Sequence, residues 1–277
     1  MSLFYEQDTK DALNFDIVIV GGGMVGACLA ALLGEAAKTS SKLAALKVGV
    51  LENSVLDAPW QAGFDPRVSA ITVASQRVLE NVGAWPLMVS HRVSPFRKMD
   101  VWDAEGTGSI QFYAEDLGET RLGHIVENRV IQKALLECCR HYPQIEILSP
   151  EQLVKIEKTT PDVSLLLGSH RTVRTKLLVG ADGANSFVRD QLRFSLQVSD
   201  YHQSAIVTTI KTEKSHEATA WQRFTPTGPI AFLPLSDDGR YDQIGGDQPG
   251  DGKTNEKDNI VPWCGQRRPR NLAICLP

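Results

Sequence analysis

Glycines and acidic residues follow two apolar segments of this chain, and together such residues can bind a nucleotide. Residues 15–20 are mostly apolar and β-branched, which predicts a buried parallel strand, and residues 25–37 have the Ala/Leu-rich composition of a helix. Between them, Gly21, Gly23 and Gly26 have the spacing G-x-G-x-x-G. In this pattern the first glycine permits a tight turn, the second lets a pyrophosphate approach the backbone, and the third lets the helix pack closely on the strand.

An acidic residue after the next predicted strand supports a nucleotide site. Residues 47–51 predict that strand, and Glu52 follows it where a ribose hydroxyl would lie. Glu52 comes 26 residues after Gly26, later than usual, and the polar residues 38–42 account for the delay as a lengthened connection. The sequence therefore predicts a bound dinucleotide, and the alternative is a structural βαβ turn without a ligand.

A second glycine-lined strand end occurs late in the chain. Residues 176–180 predict a strand, and Asp182 and Gly183 follow it before a segment of helical composition. Open α/β sheets bind ligands at the carboxyl ends of their strands. An aspartate there can accept from a ribityl or ribose hydroxyl, while the glycine keeps the backbone close to the ligand. Two such turns in one chain are more specific evidence for a nucleotide site than one turn alone.

Two further polar residues are candidates for cofactor contacts, and each has an ordinary alternative. Arg67 lies on the loop after the ribose acid, where its guanidinium could reach a pyrophosphate or the edge of a flavin ring. A surface salt bridge is the alternative for Arg67. Asn128 precedes a predicted amphipathic helix, and it either caps that helix or points its amide at a cofactor.

A different strand pattern predicts a second sheet. Residues 99–103 and 109–113 alternate with period two around a Gly-containing turn, which predicts a half-buried antiparallel hairpin. Residues 205–212, 218–224 and 229–235 are extended segments that predict an antiparallel sheet over a substrate pocket.

The composition excludes several classes of function. A formal net charge of −4 argues against a nucleic-acid binder, and the five cysteines show no C-x-x-C pair or metal-ligand spacing, so no metal site is predicted. The histidines form no nucleophile motif with a serine or cysteine. Residues 1–13 lack a signal-peptide core, and no apolar run approaches the roughly 18 residues of a membrane span, so a cytoplasmic location is expected.

Several sequence strings together resemble the flavin-dependent hydroxylases of ubiquinone biosynthesis, the UbiH/UbiF/VisC family of p-hydroxybenzoate-hydroxylase-like flavoproteins. The likeness is greatest to the 2-octaprenylphenol hydroxylase branch. The strings that carry the resemblance are residues 21–26, 67–71, 99–103, 123–128, 179–186 and 231–236.

The resemblance implies an α/β fold with a Rossmann-like FAD-binding domain and a second, antiparallel-sheet substrate domain. Residues 14–95 and 121–195 would form the FAD-binding domain, and residues 96–120 and 196–240 the substrate domain. Residues 241–277, which mix Gly, Asp, Pro and Arg without a period, are expected to form an irregular tail.

The resemblance also implies FAD as the dinucleotide and assigns residues to it. Gly21, Gly23 and Gly26 would hold its pyrophosphate, and Glu52 its adenosine ribose. Arg67 and Asn128 match family positions that contact the cofactor. Asp182 and Gly183 match a motif credited with both FAD and NAD(P)H contacts.

The family chemistry is reduction of FAD by NAD(P)H, reaction with O₂ and hydroxylation of a phenol ring. A prenylated phenol would be the substrate, with a peripheral contact at the inner membrane and a complex of ubiquinone-pathway proteins as further expectations. No catalytic side chain can be named from the sequence. The alternatives are a non-catalytic flavoprotein-like fragment and an NAD-dependent dehydrogenase, which the first glycine motif alone would allow.

The chain also departs from the family pattern. Family members carry a later Gly-Asp-Ala-Ala-His stretch, whereas neither Gly246-Asp247 nor Gly250-Asp251 is followed by Ala-Ala-His. The likeness ends near Arg240, and a C-terminal truncation or an out-of-frame end is the expectation.

Overall fold

The computed structural model describes residues 12–56, 63–200, 202, 204–236 and the backbone of residues 270–276. The helices of the described residues are α1 (Met24–Ala37), α2 (Ser41–Ala44), α3 (Val73–Asn81), α4 (Ala84–His91), α5 (Asn128–Arg140) and α6 (Phe187–Gln191), with a 3-10 helix at Glu115–Leu117. The strands are β1 (Leu13–Val20), β2 (Val48–Leu51), β3 (Val68–Thr72), β4 (Ser94–Phe96), β5 (Lys98–Asp103), β6 (Ser109–Tyr113), β7 (Gly123–Glu127), β8 (Ile145–Leu148), β9 (Leu153–Lys158), β10 (Val163–Leu167), β11 (Thr172–Gly180), β12 (Ile206–Thr212), β13 (Thr219–Thr225), β14 (Gly228–Leu235) and β15 (Arg270–Leu276).

The chain divides into two compact units, and the first comprises Met1–Gly63, Ala74–Met88 and Asn128–Tyr201. Its six-stranded sheet has the order β8-β2-β1-β11-β10-β9. β8, β2, β1 and β11 are mutually parallel, whereas β10 and β9 join antiparallel. Parallel strands are covered on both faces, and Val18 and Val50 are accordingly fully buried. The predicted Rossmann-like parallel sheet is confirmed.

Helices α1 and α5 pack against each other within the first unit. The predicted amphipathic helix is α5, whose buried residues recur at helical spacing, and the small residues of α1 let the two helices approach. Cys139 lies in this contact and donates from its Sγ to the Ala27 carbonyl oxygen at 3.4 Å. Burial raises the pKa of the Cys139 thiol to about 12, so this cysteine is an unreactive packing residue.

The second unit comprises Phe64–Val73, Val89–Glu127 and His202–Pro277. One sheet has the order β12-β15-β14-β13-β5-β6, and a smaller sheet has the order β3-β7-β4. The predicted hairpin of β5 and β6 belongs to the larger sheet, as expected from its period-two alternation. The sheet is antiparallel except between β13 and β5, which run parallel. The predicted second, mostly antiparallel domain is therefore present.

The division into units differs from the predicted domains. Residues 64–73, 89–95 and 121–127 were expected in the FAD-binding domain, but β3, β4 and β7 pair with one another and belong to the second unit. The reason is that local sequence patterns give strand positions but not strand partners, which depend on long-range backbone pairing.

The prediction of an irregular tail is wrong for Arg270–Leu276, which form β15 between β12 and β14. Backbone hydrogen bonds to a strand on each side stabilise this segment, and they depend little on its residue types. The remaining tail residues 241–269, and residue 277, lie outside the described residues.

Within the described ranges, none of the helices has both the length and the apolar character needed to cross a bilayer.

Candidate functional site

The two glycine-lined turns meet at the carboxyl ends of adjacent strands. β1 pairs with β11 in parallel, with Val20 opposite Gly180, and the Ala181 N–H donates to the Val20 carbonyl oxygen at 2.7 Å. A Cβ on Gly21 would lie only 2.3 Å from the Ala181 carbonyl oxygen. The two turns therefore lie side by side at one edge of the sheet.

Gly21 and Gly26 are positions that accept no side chain. Gly21 has a φ of +107°, a conformation that L-residues rarely adopt. A Cβ on Gly26 would lie 1.9 Å from the Gly21 carbonyl oxygen and 3.1 Å from Ile19 Cγ2. The first turn of α1 therefore packs directly on the turn that follows β1.

Gly23 differs from both of these glycines because the space beside it is open. It is the N-cap of α1 with φ −70°, and a Cβ there would meet no heavy atom within 4 Å. The N–H groups of a helix N-terminus attract anions, and an open approach lets a phosphate reach them. The turn thus fits a pyrophosphate group.

Two side chains hold the Gly22 peptide groups beside this N-terminus. Glu52 Oε2 accepts from the Gly22 N–H at 2.8 Å, and Gln132 Nε2 donates to the Gly22 carbonyl oxygen at 2.8 Å. The other Glu52 oxygen, Oε1, accepts from the Ser54 N–H at 2.8 Å. Each carboxylate oxygen has a further lone pair, so Glu52 can hold the turn and still accept from a ribose hydroxyl.

Asp182 is held in a similar network at the second turn. Its Oδ1 accepts from the Ser186 hydroxyl at 2.5 Å, and its Oδ2 accepts from the Val188 N–H at 3.0 Å. Ser186 caps α6 by accepting from the Arg189 N–H. Gly183, with φ +84°, has open space where a Cβ would lie. The Asp182 carboxylate is therefore fixed in place by the start of α6.

A cleft of about 260 Å³ opens at the carboxyl ends of β1, β2 and β11. It is lined by the strand-end residues Val20, Gly21, Leu51, Glu52 and Asp182 and by Asn53, Glu151, Gln152, Leu153, Asn185 and Phe187. The cleft therefore brings together three of the predicted site residues, namely Gly21, Glu52 and Asp182.

Arg67 and Asn128 lie outside the two glycine turns. Arg67 belongs to the second unit, where its side chain is exposed and its N–H donates to Asp65 Oδ1 at 2.9 Å. Asn128 is the first residue of α5, directly after β7. The loop that carries Arg67 is also tied to β7.

An ion pair between the buried Glu127 and the partly buried Arg92 makes this tie. Glu127, with 2% of its side chain exposed, contacts Arg92 at 2.8 Å, and the Arg92 guanidinium lies over the Phe64 ring at 4.2 Å from its centroid. The second oxygen of Glu127 accepts from the Asp65 N–H at 2.7 Å. Glu127 therefore connects the end of β7 to the residues immediately before Arg67.

Sequence reasoning missed Gln132, Gln152, Glu127 and Arg92. For Gln132 a signal existed, because it lies one turn of helix after Asn128 in the same segment. Glu127 directly precedes Asn128 in the sequence, but its contact with Arg92, like the place of Gln152 beside Glu52, depends on pairing between distant strands.

The parallel sheet and its paired glycine turns define a dinucleotide-binding protein of the Rossmann-like class. Residues 14–261 match the family model described as the FAD binding domain, and the chain belongs to this family.

Curated relatives of the chain are monooxygenases and hydroxylases by name. The chain is 37% identical over 246 residues to the ubiquinone biosynthesis monooxygenase COQ6, mitochondrial, of Danio rerio. The aligned region covers 84% of this chain and 50% of that protein. The chain is 36% identical over 224 residues to the 3-demethoxyubiquinol 3-hydroxylase of Escherichia coli K12, covering 80% and 55%. The predicted resemblance to ubiquinone-biosynthesis hydroxylases is confirmed, and the chain spans about half the length of these curated relatives.

A solved structure shows the same fold. The p-nitrophenol 4-monooxygenase PnpA of Pseudomonas putida DLL-E4 superposes with a TM-score of 0.68 at 16% identity, covering 95% of this chain and 57% of PnpA.

Proposed function

We propose that this chain binds FAD at the carboxyl ends of β1, β2 and β11. The observation that carries the proposal is the direct contact of the two turns at Gly21 and Ala181, within a chain of the FAD binding domain family. Gly21, Gly23 and Gly26 would accommodate the pyrophosphate, and Glu52 would accept from the adenosine ribose. Free helix N–H groups suit the diphosphate charge, and a carboxylate suits the ribose hydroxyls.

The proposed site has four further members. Asp182 and Gly183 would contact the sugar-derived part of the cofactor, because the aspartate is rigidly placed and the glycine leaves its surroundings open. Arg67 and Asn128 are proposed as cofactor contacts on the strength of their match to the family motifs. Arg67 is exposed, which leaves its guanidinium accessible to an anionic or aromatic group.

The proposed reaction is hydroxylation of a prenylated phenol in ubiquinone biosynthesis, with NAD(P)H as electron donor and O₂ as co-substrate. The names of the curated relatives support this substrate class. When bound, FAD supplies the redox chemistry, and the residues of this chain bind it, orient it and exclude water. We also propose that the chain contacts the inner membrane peripherally and that it forms a complex with other enzymes of the pathway. Both associations suit a prenylated substrate.

Titration with FAD tests the cofactor proposal. The purified chain should show flavin absorption bands or acquire them with added FAD, and flavin fluorescence should change saturably. A colourless protein that acquires no flavin absorption at any FAD concentration would contradict the proposal. Binding of NAD without any binding of flavin would instead favour a dehydrogenase.

Turnover tests the reaction separately. NADH or NADPH oxidation should depend on O₂ and a prenylated phenol, and mass spectrometry should detect a product with one added oxygen atom. FAD binding without product at any enzyme concentration would contradict the hydroxylase proposal for this chain and identify a non-catalytic flavoprotein domain.

A further inference from the structure

We propose that Gln132 is a positioning residue that orients the Gly22–Gly23 peptide plane toward the cofactor pyrophosphate. The inference rests on the proposed FAD site and adds to it a residue on α5, outside the glycine motif.

The Gly22–Gly23 peptide is held from one side. Gln132 Nε2 donates to the Gly22 carbonyl oxygen at 2.8 Å, while the Gly22 N–H is engaged by Glu52 Oε2 at 2.8 Å. In a trans peptide, the C=O of one residue and the N–H of the next point in opposite directions. The Gly23 N–H therefore points away from Gln132.

The space beside Gly23, whose N–H belongs to this peptide, is open. Gly23 is the N-cap of α1, and a Cβ on it would meet no heavy atom within 4 Å. The orientation set by Gln132 thus presents the Gly23 N–H together with the N-terminus of α1, where an anion is favoured.

A fixed orientation matters because glycine lies on both sides of this peptide bond. Glycine occupies more backbone conformations than other residues, so an unrestrained Gly22–Gly23 peptide would rotate and its N–H would lose its direction. Gln132 suits the task because α5 packs on α1, and its neighbour Ile131 is 3% exposed. The glutamine thus anchors the flexible peptide to a rigid helix.

Substitution of Gln132 tests the proposal. Gln132→Met keeps the length of the side chain and removes its donor. Gln132→Glu keeps its shape and polarity, but an ionised carboxylate cannot donate to a carbonyl oxygen. The control is Gln76→Met on α3, which removes a hydrogen bond that Gln76 Nε2 donates to Glu80 Oε1 at 2.7 Å on an exposed helix surface.

Both Gln132 variants should raise the FAD dissociation constant by about tenfold, the effect of one lost hydrogen bond. In the flavin-free chain they should also accelerate amide hydrogen exchange in the segment 21–26, with exchange in β9 and β10 unchanged. Gln76→Met should change neither quantity.

The outcomes separate the two proposals. An unchanged FAD dissociation constant, or exchange in residues 21–26 that is no faster than in the control, would overturn the role of Gln132. Faster exchange throughout the first unit would also overturn it, because the residue would then act only in stability. Failure of the unsubstituted chain to bind FAD would overturn the cofactor proposal itself, while the exchange measurement would still show whether Gln132 orders the turn.

Discussion

At the scale of single residues, the space around each glycine decides what a side chain there would disturb. Gly26 has a backbone oxygen 1.9 Å from where its Cβ would lie, whereas Gly23 has no heavy atom within 4 Å. The sequence motif assigns both glycines to the same fingerprint. Within that fingerprint the third glycine is expected to permit helix packing and the second to leave room for a pyrophosphate, and these distances agree with that division.

This difference predicts opposite results for two alanine substitutions. Gly26→Ala should destabilise the flavin-free chain by about 2 kcal/mol or more, because helix α1 must move away from the turn. Gly23→Ala should change the unfolding free energy by at most about 1 kcal/mol, since only a helix N-cap preference is lost, yet it should weaken FAD binding at least tenfold. Denaturant unfolding and FAD titration measure the two effects. Equal destabilisation by both substitutions would contradict the assignment.

His124 is a buried titratable residue that gives the chain a pH-dependent stability. It lies on β7 with no exposed surface, and burial, aided by the positive charge of Arg121, lowers its pKa from 6.5 to about 4. The folded state therefore keeps the imidazole neutral where the unfolded chain would protonate it. This stabilisation is fully present above pH 6.5 and is lost as the pH falls toward 4.

Removal of the imidazole should remove this dependence. Because His124 protonates on unfolding, lowering the pH from 7 to 4 should reduce the free energy of unfolding by about 3 kcal/mol. His124→Phe should therefore make the melting temperature fall less steeply over that range. His141→Gln, at an exposed position, is the control. An identical pH profile for His124→Phe and the unsubstituted chain would show that His124 does not titrate on unfolding.

At the scale of elements, the extents of strands were predictable and their partners were not. β5 and β6 lie where alternation and a Gly-containing turn predict them, because those signals are local. β5 pairs in parallel with β13, which lies more than a hundred residues later in the chain. β15 inserts between β12 and β14, although β13 and β14 lie between β12 and β15 in the sequence. No local pattern encodes such pairings.

The same limit applies to the candidate site. Both glycine turns, Glu52 and Asp182 could be named from the sequence, because each follows an apolar strand with a recognisable turn. Their internal partners could not, since Glu52 contacts Gly22 and Asp182 contacts Ser186 through side-chain geometry alone. The motif thus identifies the proposed ligand-binding groups but not what holds them.

The ion pair at the end of β7 predicts coupling between two elements. Arg92 and Glu127 have 18% and 2% of their side chains exposed, so removal of one partner leaves a charge in a poorly solvated position. Arg92→Met should therefore cost about 3 kcal/mol, whereas Arg92→Met combined with Glu127→Gln should cost clearly less than the sum of the two single substitutions. Denaturant unfolding of the four proteins in this cycle measures the coupling. Additive costs would show that the pair contributes no net interaction.

At the scale of the whole molecule, two compact units of different sheet type form a chain that spans about half of its curated relatives. The proposed contacts of Gly21, Gly23, Gly26 and Glu52 with the adenosine and pyrophosphate lie in the first unit. This segregation means that a ligand carrying only those two groups should act on the stability of the first unit alone.

ADP is such a ligand, since it shares the adenosine and pyrophosphate of FAD and lacks the flavin. A ligand that binds only the folded state stabilises it by about 2.7 kcal/mol at 100 times its dissociation constant, which corresponds to roughly 5 to 10 °C for a chain of this size. Scanning calorimetry should show that ADP raises the transition of the first unit, which Gly26→Ala identifies by lowering it. In Gly23→Ala the upward shift with ADP should be smaller at every concentration, because that substitution fills the approach to the helix N-terminus. A transition that ADP leaves unmoved while FAD raises it would place the main binding contacts outside the glycine turn and contradict the proposed site.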